Sequence, residues 1–285
     1  MSRRDYLYDP TQTPFDPKAS GFHANNALCL AAASNLVYEE NEPLIQDTVK
    51  TWGFDKFTFI RAEDKKHLID TQAFLCGNAD ALLLVFRGTE SRDLKDWFTD
   101  FRLKPVAGPG GNGKVHHGFS LAVNAAWPQI QAALGQHRDN RQAIWVSGHS
   151  LGGALAILAV ARLQMEERIS VQGLYSFGQP RTGDWTFAGA FNESFPSLAV
   201  RFVNNNDLVP HLPPTGPIWR YWHVKRLLYI DASGDLHPSM PVSRWLVEGT
   251  KGMLQDYGKL GPDVLKDHDM DLYVQHIRRH ALAGK

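Results

Sequence analysis

The sequence predicts an α/β protein, a mostly parallel sheet with helices packed on both of its faces. Three observations carry this. Strand-like and helix-like segments alternate along most of the chain. The run Ala81-Leu82-Leu83-Leu84-Val85-Phe86 is apolar without interruption, as expected of a central strand covered on both sides. Finally, Gly148-His149-Ser150-Leu151-Gly152 stands between an apolar stretch and an Ala-rich helical segment, which marks a sharp strand-to-helix turn.

The elements follow in order. Residues 24–38 read as a helix, with Leu28, Ala32 and Leu36 beside Ala27 and Ala31 on its apolar face. Residues 57–60 and 71–76 read as strands, antiparallel because the links are too short for a helical crossover. Residues 81–86 are the central strand, and Gly108-Pro109-Gly110-Gly111-Asn112-Gly113 reads as a flexible loop before a helix over 119–134. The strand 143–147 turns through 148–153 into a helix over 154–164. Further strands are expected at 173–177, 198–203 and 223–230, and helices at 185–195, 242–255 and 269–280. The Pro-rich stretch 209–214 reads as a rigid surface loop. No repeat and no linker interrupts the pattern, so residues 1–285 are expected to form one domain.

Composition narrows the function. The 285 residues, 43% hydrophobic and 21% charged, suffice for a sizeable core. Lys+Arg and Asp+Glu both number 30, so there is neither the basic footprint of a nucleic-acid binder nor a polybasic membrane signal. Arg3 and Arg4 are followed by no apolar run, so no secretory signal is read; a cytoplasmic protein is expected, with signal-less export left open. No stretch approaches the roughly 18 apolar residues of a membrane span. Cys29 and Cys76 read as buried thiols rather than a disulfide. No Cys/His spacing suits zinc, and His116 and His117 are adjacent rather than one turn apart, so no metal is expected.

Chemistry concentrates at Ser150. A Gly-x-Ser-x-Gly turn lifts the serine hydroxyl off the sheet edge, and its glycines let strand and helix backbones pass closely. The serine also meets a helix N-terminus, where free N–H groups favour developing negative charge. His149 is its neighbour, but consecutive residues on so tight a turn point in different directions, so a structural role is expected for it.

Serine needs a histidine base, and the histidine needs a carboxylate to fix its tautomer. With such an elbow the chain order is nucleophile, acid, base. Asp207 fits the acid, because it follows the strand 198–203 through Asn204-Asn205-Asn206 and precedes Leu208-Val209-Pro210. Asp231 and Asp235 also follow a strand, in a turn that uses such residues anyway. The base is open among His211, His223, His237, His268, His276 and His280. His268 leads on residue types alone, since it lies on the last loop and the following helix can fix it. For the oxyanion, one donor is expected from the Leu151 N–H and a second from Thr89, at the end of the most apolar strand. Thr89 equally suits a helix N-cap. Residues 90–98 read as a short amphipathic helix with Leu94, Trp97 and Phe98 among charges, a natural lid or else ordinary core packing.

Several segments together resemble the class 3 lipases, α/β-hydrolases typified by filamentous-fungal triacylglycerol lipases. They are Val85-Phe86-Arg87-Gly88-Thr89, Val115-His116-His117-Gly118-Phe119, Gly148 to Ala154, Phe177-Gly178-Gln179-Pro180-Arg181-Thr182-Gly183-Asp184, Asn206 to Pro214, and Asp267-His268 followed by Tyr273. The resemblance implies the α/β-hydrolase fold with a short helical lid after Thr89. It implies Ser150 as nucleophile, Asp207 as acid, His268 as base, and Thr89 and Leu151 as oxyanion donors. It also implies hydrolysis of acylglycerol esters, with a lipid–water interface as a place of action, and no cofactor. Phospholipase A1 and short-chain esterase activities use the same triad, and a non-catalytic lipid- or protein-binding relative would keep only the fold. The chain departs from secreted fungal members in showing neither a signal nor several disulfides, and its lid segment carries more charge.

Overall fold

A computed structural model describes residues 8–66, 69–88, 105–195, 198–213, 221–224, 226–240 and 266–283. At its centre an eight-stranded sheet runs in the order β1-β2-β3-β6-β7-β9-β11-β12. These strands are β1 (Lys56–Asp64), β2 (Ile69–Gly77), β3 (Ala81–Phe86), β6 (Ala143–His149), β7 (Gly173–Phe177), β9 (Leu198–Asn204), β11 (Arg226–Ile230) and β12 (Leu236–His237). The five from β3 to β11 are parallel, and antiparallel pairs close both ends. The short links around β1 and β2 give the antiparallel pairing expected of them. This is the α/β-hydrolase arrangement, a mostly parallel sheet with helices on both faces.

Six α-helices are described: α1 (Ala24–Leu36), α2 (Glu42–Thr51), α3 (His117–His137), α4 (Leu151–Met165), α5 (Trp185–Ser194) and α6 (Met270–Ala283). Because side chains alternate along a strand, the sheet feeds two separate cores. Leu82, Leu84, Phe86, Ile144 and Val146 pack with Phe119, Trp127, Leu155 and Phe187 from α3, α4 and α5. Leu83, Val85 and Trp145 pack with Leu28 and Leu36 of α1, Ile45 and Val49 of α2, and Tyr273 and Ile277 of α6. Full burial of such side chains contributes roughly 1.5–3 kcal/mol each. Burial of this kind holds the C-terminal ends of the parallel strands, where the site lies, on a rigid base. The Asn35 amide of α1 donates to Asp271 of α6 at 2.7 Å, which joins the first helix to the last.

The structure departs from the sequence reading in several places. A second, four-stranded sheet, β10-β8-β5-β4, is built from β4 (Pro105–Ala107), β5 (Lys114–His116), β8 (Gly183–Asp184) and β10 (Tyr221–Trp222). Strands of two or three residues leave no periodicity to read. The segment 108–113 is the connection of the β4–β5 hairpin, containing a single 3-10 turn at Pro109–Gly111. The strand expected over 223–230 is shorter, Arg226–Ile230 in the large sheet, and the residues just before it, Tyr221–Trp222, form an unexpected strand of the small one. Helix α2 escapes the reading because Ile45 and Val49 are its only buried residues; Asn41, whose side chain accepts from the Leu44 N–H at 3.1 Å, and a first-turn proline define its start. Cys29 and Cys76 are free and buried, and burial pushes the Cys29 thiol up to about 12. Thr89, the lid segment 90–98 and the helix expected over 242–255 lie outside the described residues. Among the described residues no helix is long and apolar enough to cross a membrane, and no group of three or more His, Cys, Asp and Glu side chains could hold a metal.

Candidate active site

Three strand ends build the site. At the first, β6 runs into α4 through Ser150, whose backbone is held at φ 56°, ψ −129°. A positive φ is uncommon for a non-glycine residue and persists only where the surroundings impose it. Here they do. The Ser150 N–H donates to the Phe177 carbonyl at 2.9 Å, and the Gly153 N–H donates to the Ser150 carbonyl at 3.0 Å. A Cβ on Gly148 would stand 2.3 Å from the Gly152 carbonyl oxygen, and one on Gly152 would stand 2.3 Å from that of Phe86. Both flanking glycines are therefore required by close backbone approach. Ser150 occupies the N-cap position of α4, yet its side chain makes no capping bond. The residue is fully buried, and its hydroxyl has no hydrogen-bond partner among the described residues. Leu151 opens α4, so its main-chain N–H has no acceptor within the helix and is free for an oxyanion.

The second end, that of β9, brings Asp207 to a histidine that stands before α6. Asp207, shortly after β9, and His268, just before α6, are both buried, and His268 Nδ1 lies 2.9 and 3.0 Å from the two carboxylate oxygens. A carboxylate only accepts, so Nδ1 carries a proton, and in the neutral ring Nε2 is the nitrogen with the lone pair. That Nε2 is buried and has no hydrogen-bond partner among the described residues. The other bonds of Asp207 are equally defined. Its Oδ1 accepts the Val209 N–H at 2.9 Å, and its Oδ2 accepts the Tyr273 hydroxyl at 2.6 Å. Burial first, then the Asp207 charge, holds the Tyr273 phenol well above its ordinary pKa, so it stays a donor.

Gly178, at the end of β7, spaces the group. Its φ is +57°, and a Cβ there would lie 2.6 Å from Asp207 Oδ2 and 2.9 Å from His268 Nδ1. The Asn204-Asn205-Asn206 run does more than turn the chain. Asn204 Nδ2 donates to the Asp267 carbonyl at 2.9 Å, Asn205 Nδ2 to the Asp267 carboxylate at 3.0 Å, and the Asn206 N–H to the same oxygen at 3.1 Å. The loop that carries Asp207 is thereby tied to the residue preceding His268.

The structure thus brings Asp207 and His268 together and places the Ser150 elbow against the same β7 end. Three of the other candidate histidines are bonded elsewhere. His223 donates from Nε2 to the Pro210 carbonyl at 2.8 Å, His237 meets Asp231 at 2.7 Å, and His280 donates to the Gly234 carbonyl at 2.8 Å. The His211 carbonyl accepts the Arg181 guanidinium. His149 is bonded to the Tyr38 hydroxyl and the His268 carbonyl and not to the serine hydroxyl. Sequence reasoning missed the Asn204–Asp267 tie altogether, and met Gly178 and Tyr273 only as points of resemblance. Three consecutive asparagines before the acid were the one available signal.

Comparison with known proteins finds lipases. Residues 83–216 match the family described as "Lipase (class 3)". The chain is 38% identical over 156 residues to a lipase of Rhizomucor miehei, covering 52% of this chain and 42% of that one. It is 29% identical over 258 residues to a triacylglycerol lipase of Arabidopsis thaliana, covering 72% and 49%. Among solved structures, the triacylglyceride lipase of Rhizomucor miehei superposes with a TM-score of 0.60 at 27% identity, covering 81% of this chain and 92% of that one. A triacylglycerol lipase whose catalytic centre is described as a serine protease triad superposes with a TM-score of 0.61 at 27% identity, covering 82% and 93%. The chain spans only about two fifths of the length of the first curated relatives it matches.

Proposed function

We propose that this chain, whose residues 83–216 belong to the class 3 lipase family, is a carboxylic-ester hydrolase that cleaves acylglycerols through an acyl-enzyme on Ser150. The observation that carries the proposal is the buried Asp207–His268 pair, whose Nε2 has no hydrogen-bond partner among the described residues, together with a serine held at positive φ on a helix N-terminus.

The proposed steps use these groups in turn. His268 Nε2 takes the proton of Ser150 as Oγ attacks the ester carbonyl. The Leu151 N–H, at the start of α4, stabilises the oxyanion, with Thr89 as the second donor. The imidazolium then protonates the departing alcohol, and collapse leaves the acyl group on Ser150. A water molecule, deprotonated by the same Nε2, attacks the acyl carbonyl and releases the carboxylic acid, and Ser150 recovers its proton. Asp207 stays ionised throughout and fixes the tautomer of His268.

The substrate class rests on the named relatives, several of which are triacylglycerol lipases. A panel of p-nitrophenyl esters of rising chain length, triglyceride emulsions and phosphatidylcholine vesicles tests it. Acylglycerol hydrolysis at rates above those on phosphatidylcholine is expected. Activity restricted to short soluble esters would replace the acylglycerol reading with an esterase, and preference for the vesicles with a phospholipase A1.

A further inference from the structure

His149 takes no part in the steps above, yet it is among the most constrained side chains of the site. It is buried and its ring lies 4.5 Å from that of His268, tilted by 33°. Its Nε2 is 2.8 Å from the His268 carbonyl oxygen, and its Nδ1 is 2.8 Å from the Tyr38 hydroxyl. A carbonyl can only accept, so Nε2 carries the proton. In the neutral ring Nδ1 then holds the lone pair, and Tyr38 is the donor to it. One tautomer satisfies both bonds.

From this we infer that His149 is the positioning residue of the base: as the neutral Nε2–H tautomer, set by Tyr38, it fixes the main chain of His268 through its carbonyl and supports its ring from below. The inference rests on the proposal that His268 is the base.

Several features support it. The ordinary fixings of a catalytic imidazole act on its Nδ1, here through Asp207. A ring held at that single point can still swing with its backbone, and an error of about 1 Å in a reacting group can cost on the order of 10²-fold in rate. His268 lies outside α6, so no helical hydrogen bond of that element holds its carbonyl. The His149 bond does. Tyr38 is itself held, with the Arg87 guanidinium 5.6 Å from its ring centroid and the Arg87 side chain donating to Gln72 at 2.8 Å. Gly88 leaves room for this arrangement, because a Cβ there would stand 2.3 Å from the Tyr38 hydroxyl and 2.5 Å from the His149 carbonyl oxygen.

His149 must also stay uncharged while its neighbour cycles through an imidazolium. The ionisable groups packed around it are Tyr38 on one side, His268 with Asp207 behind it on another, and Tyr273 with ring centroids 6.0 Å away. Burial, and after it the repulsion expected from a charged His268, holds His149 well below the ordinary histidine value.

Three variants, each first shown to be folded by near-UV circular dichroism, test the inference with p-nitrophenyl butyrate as substrate. H149F keeps a ring under His268 but has no donor; kcat is expected to fall about tenfold with KM within about twofold, a modest part of the misplacement cost. H149Q keeps an amide donor within reach of the carbonyl and is expected to recover most of that loss. Y38F leaves Nδ1 without its donor and allows it to gain a proton, so the acidic limb of kcat/KM is expected to move to higher pH. Wild-type kcat in folded H149F, equal losses in H149F and H149Q, or an unmoved acidic limb in Y38F would each overturn the positioning role. A wild-type protein that neither hydrolyses the ester nor reacts with a fluorophosphonate probe would instead overturn the underlying hydrolase reading.

Discussion

Among the described residues two Asp–His pairs stand at neighbouring strand ends, and only one of them is buried, the pair to which catalysis is assigned in the proposal above. Asp207 follows β9 and meets His268 at 2.9 Å; Asp231 follows β11, the parallel neighbour of β9, and meets His237 at 2.7 Å. Distance would favour the second pair. The His268 and Asp207 side chains are 1% and 0% exposed, whereas those of His237 and Asp231 are 47% and 31% exposed. Asp231 accepts the Ser233 hydroxyl at 2.6 Å and the main-chain N–H groups of Ser233 and Asp235, and these bonds, the Ser233 hydroxyl foremost, hold its carboxyl well below the usual range. It staples a turn. Asp207 spends its bonds on a single imidazole, a buried phenol and one main-chain N–H, in a space closed to water. An Asp–His contact becomes an acid–base device only when burial makes water a poor substitute and the second ring nitrogen is left free.

Substitutions can break or sharpen that contrast. The largest effect is expected from S150A, which should lower kcat by on the order of 10⁶, as removal of a serine nucleophile does elsewhere. D207N should follow at about 10⁴-fold in kcat, since an amide permits the wrong tautomer of His268. D231N, which alters the better-measuring but exposed pair, should leave kcat/KM at the wild-type value. Steady-state kinetics on a soluble ester reads all three, and comparable losses in D207N and D231N would erase the distinction drawn above.

Smaller effects test what surrounds the buried pair. Y273F removes a donor from Asp207 Oδ2 and an acceptor from the Asn204 N–H, which bonds the Tyr273 hydroxyl at 2.9 Å. Leaving such buried groups unpaired costs about 1–3 kcal/mol, so a lower urea midpoint is expected together with reduced kcat. Unchanged stability would show that the phenol is dispensable. The smallest effect is in the pH dependence of stability. Burial holds both His149 and His223 well below the ordinary histidine value in the folded protein. Below about pH 6.5 the unfolded chain protonates these rings and the folded chain does not, so the unfolded state binds more protons. Stability is therefore lost as pH falls through that window, and H149Q should make the loss shallower. Urea midpoints between pH 8 and 5 measure the slope, and identical slopes in the two proteins would contradict a neutral His149.

What the sequence makes legible divides along the same line. Ser150 can be read because its chemistry is local, with two glycines and a strand-to-helix change within a few residues. Asp207 can be read because a polar turn after an apolar strand is also local. His268 is one of six histidines by residue type, because its selection depends on contacts to Asp207 and to the His149 side chain, over separations of 61 and 119 residues. Tyr273 and the Asn204–Asp267 tie are hidden for the same reason. The small sheet is hidden for another, since strands of two or three residues carry no alternation to detect. The central strands and long helices, whose burial patterns extend over several turns or pleats, emerge where the sequence predicts them.

The central claim is that Ser150 is the nucleophile activated by the buried pair and by no other histidine. Reaction with a fluorophosphonate probe, followed by peptide mapping of the modified residue, tests it most directly. One phosphonyl group per chain is expected on Ser150, with labelling abolished in S150A and strongly slowed in D207N but not in D231N. Labelling elsewhere, or on Ser150 at the same rate in D207N as in the wild type, would contradict it.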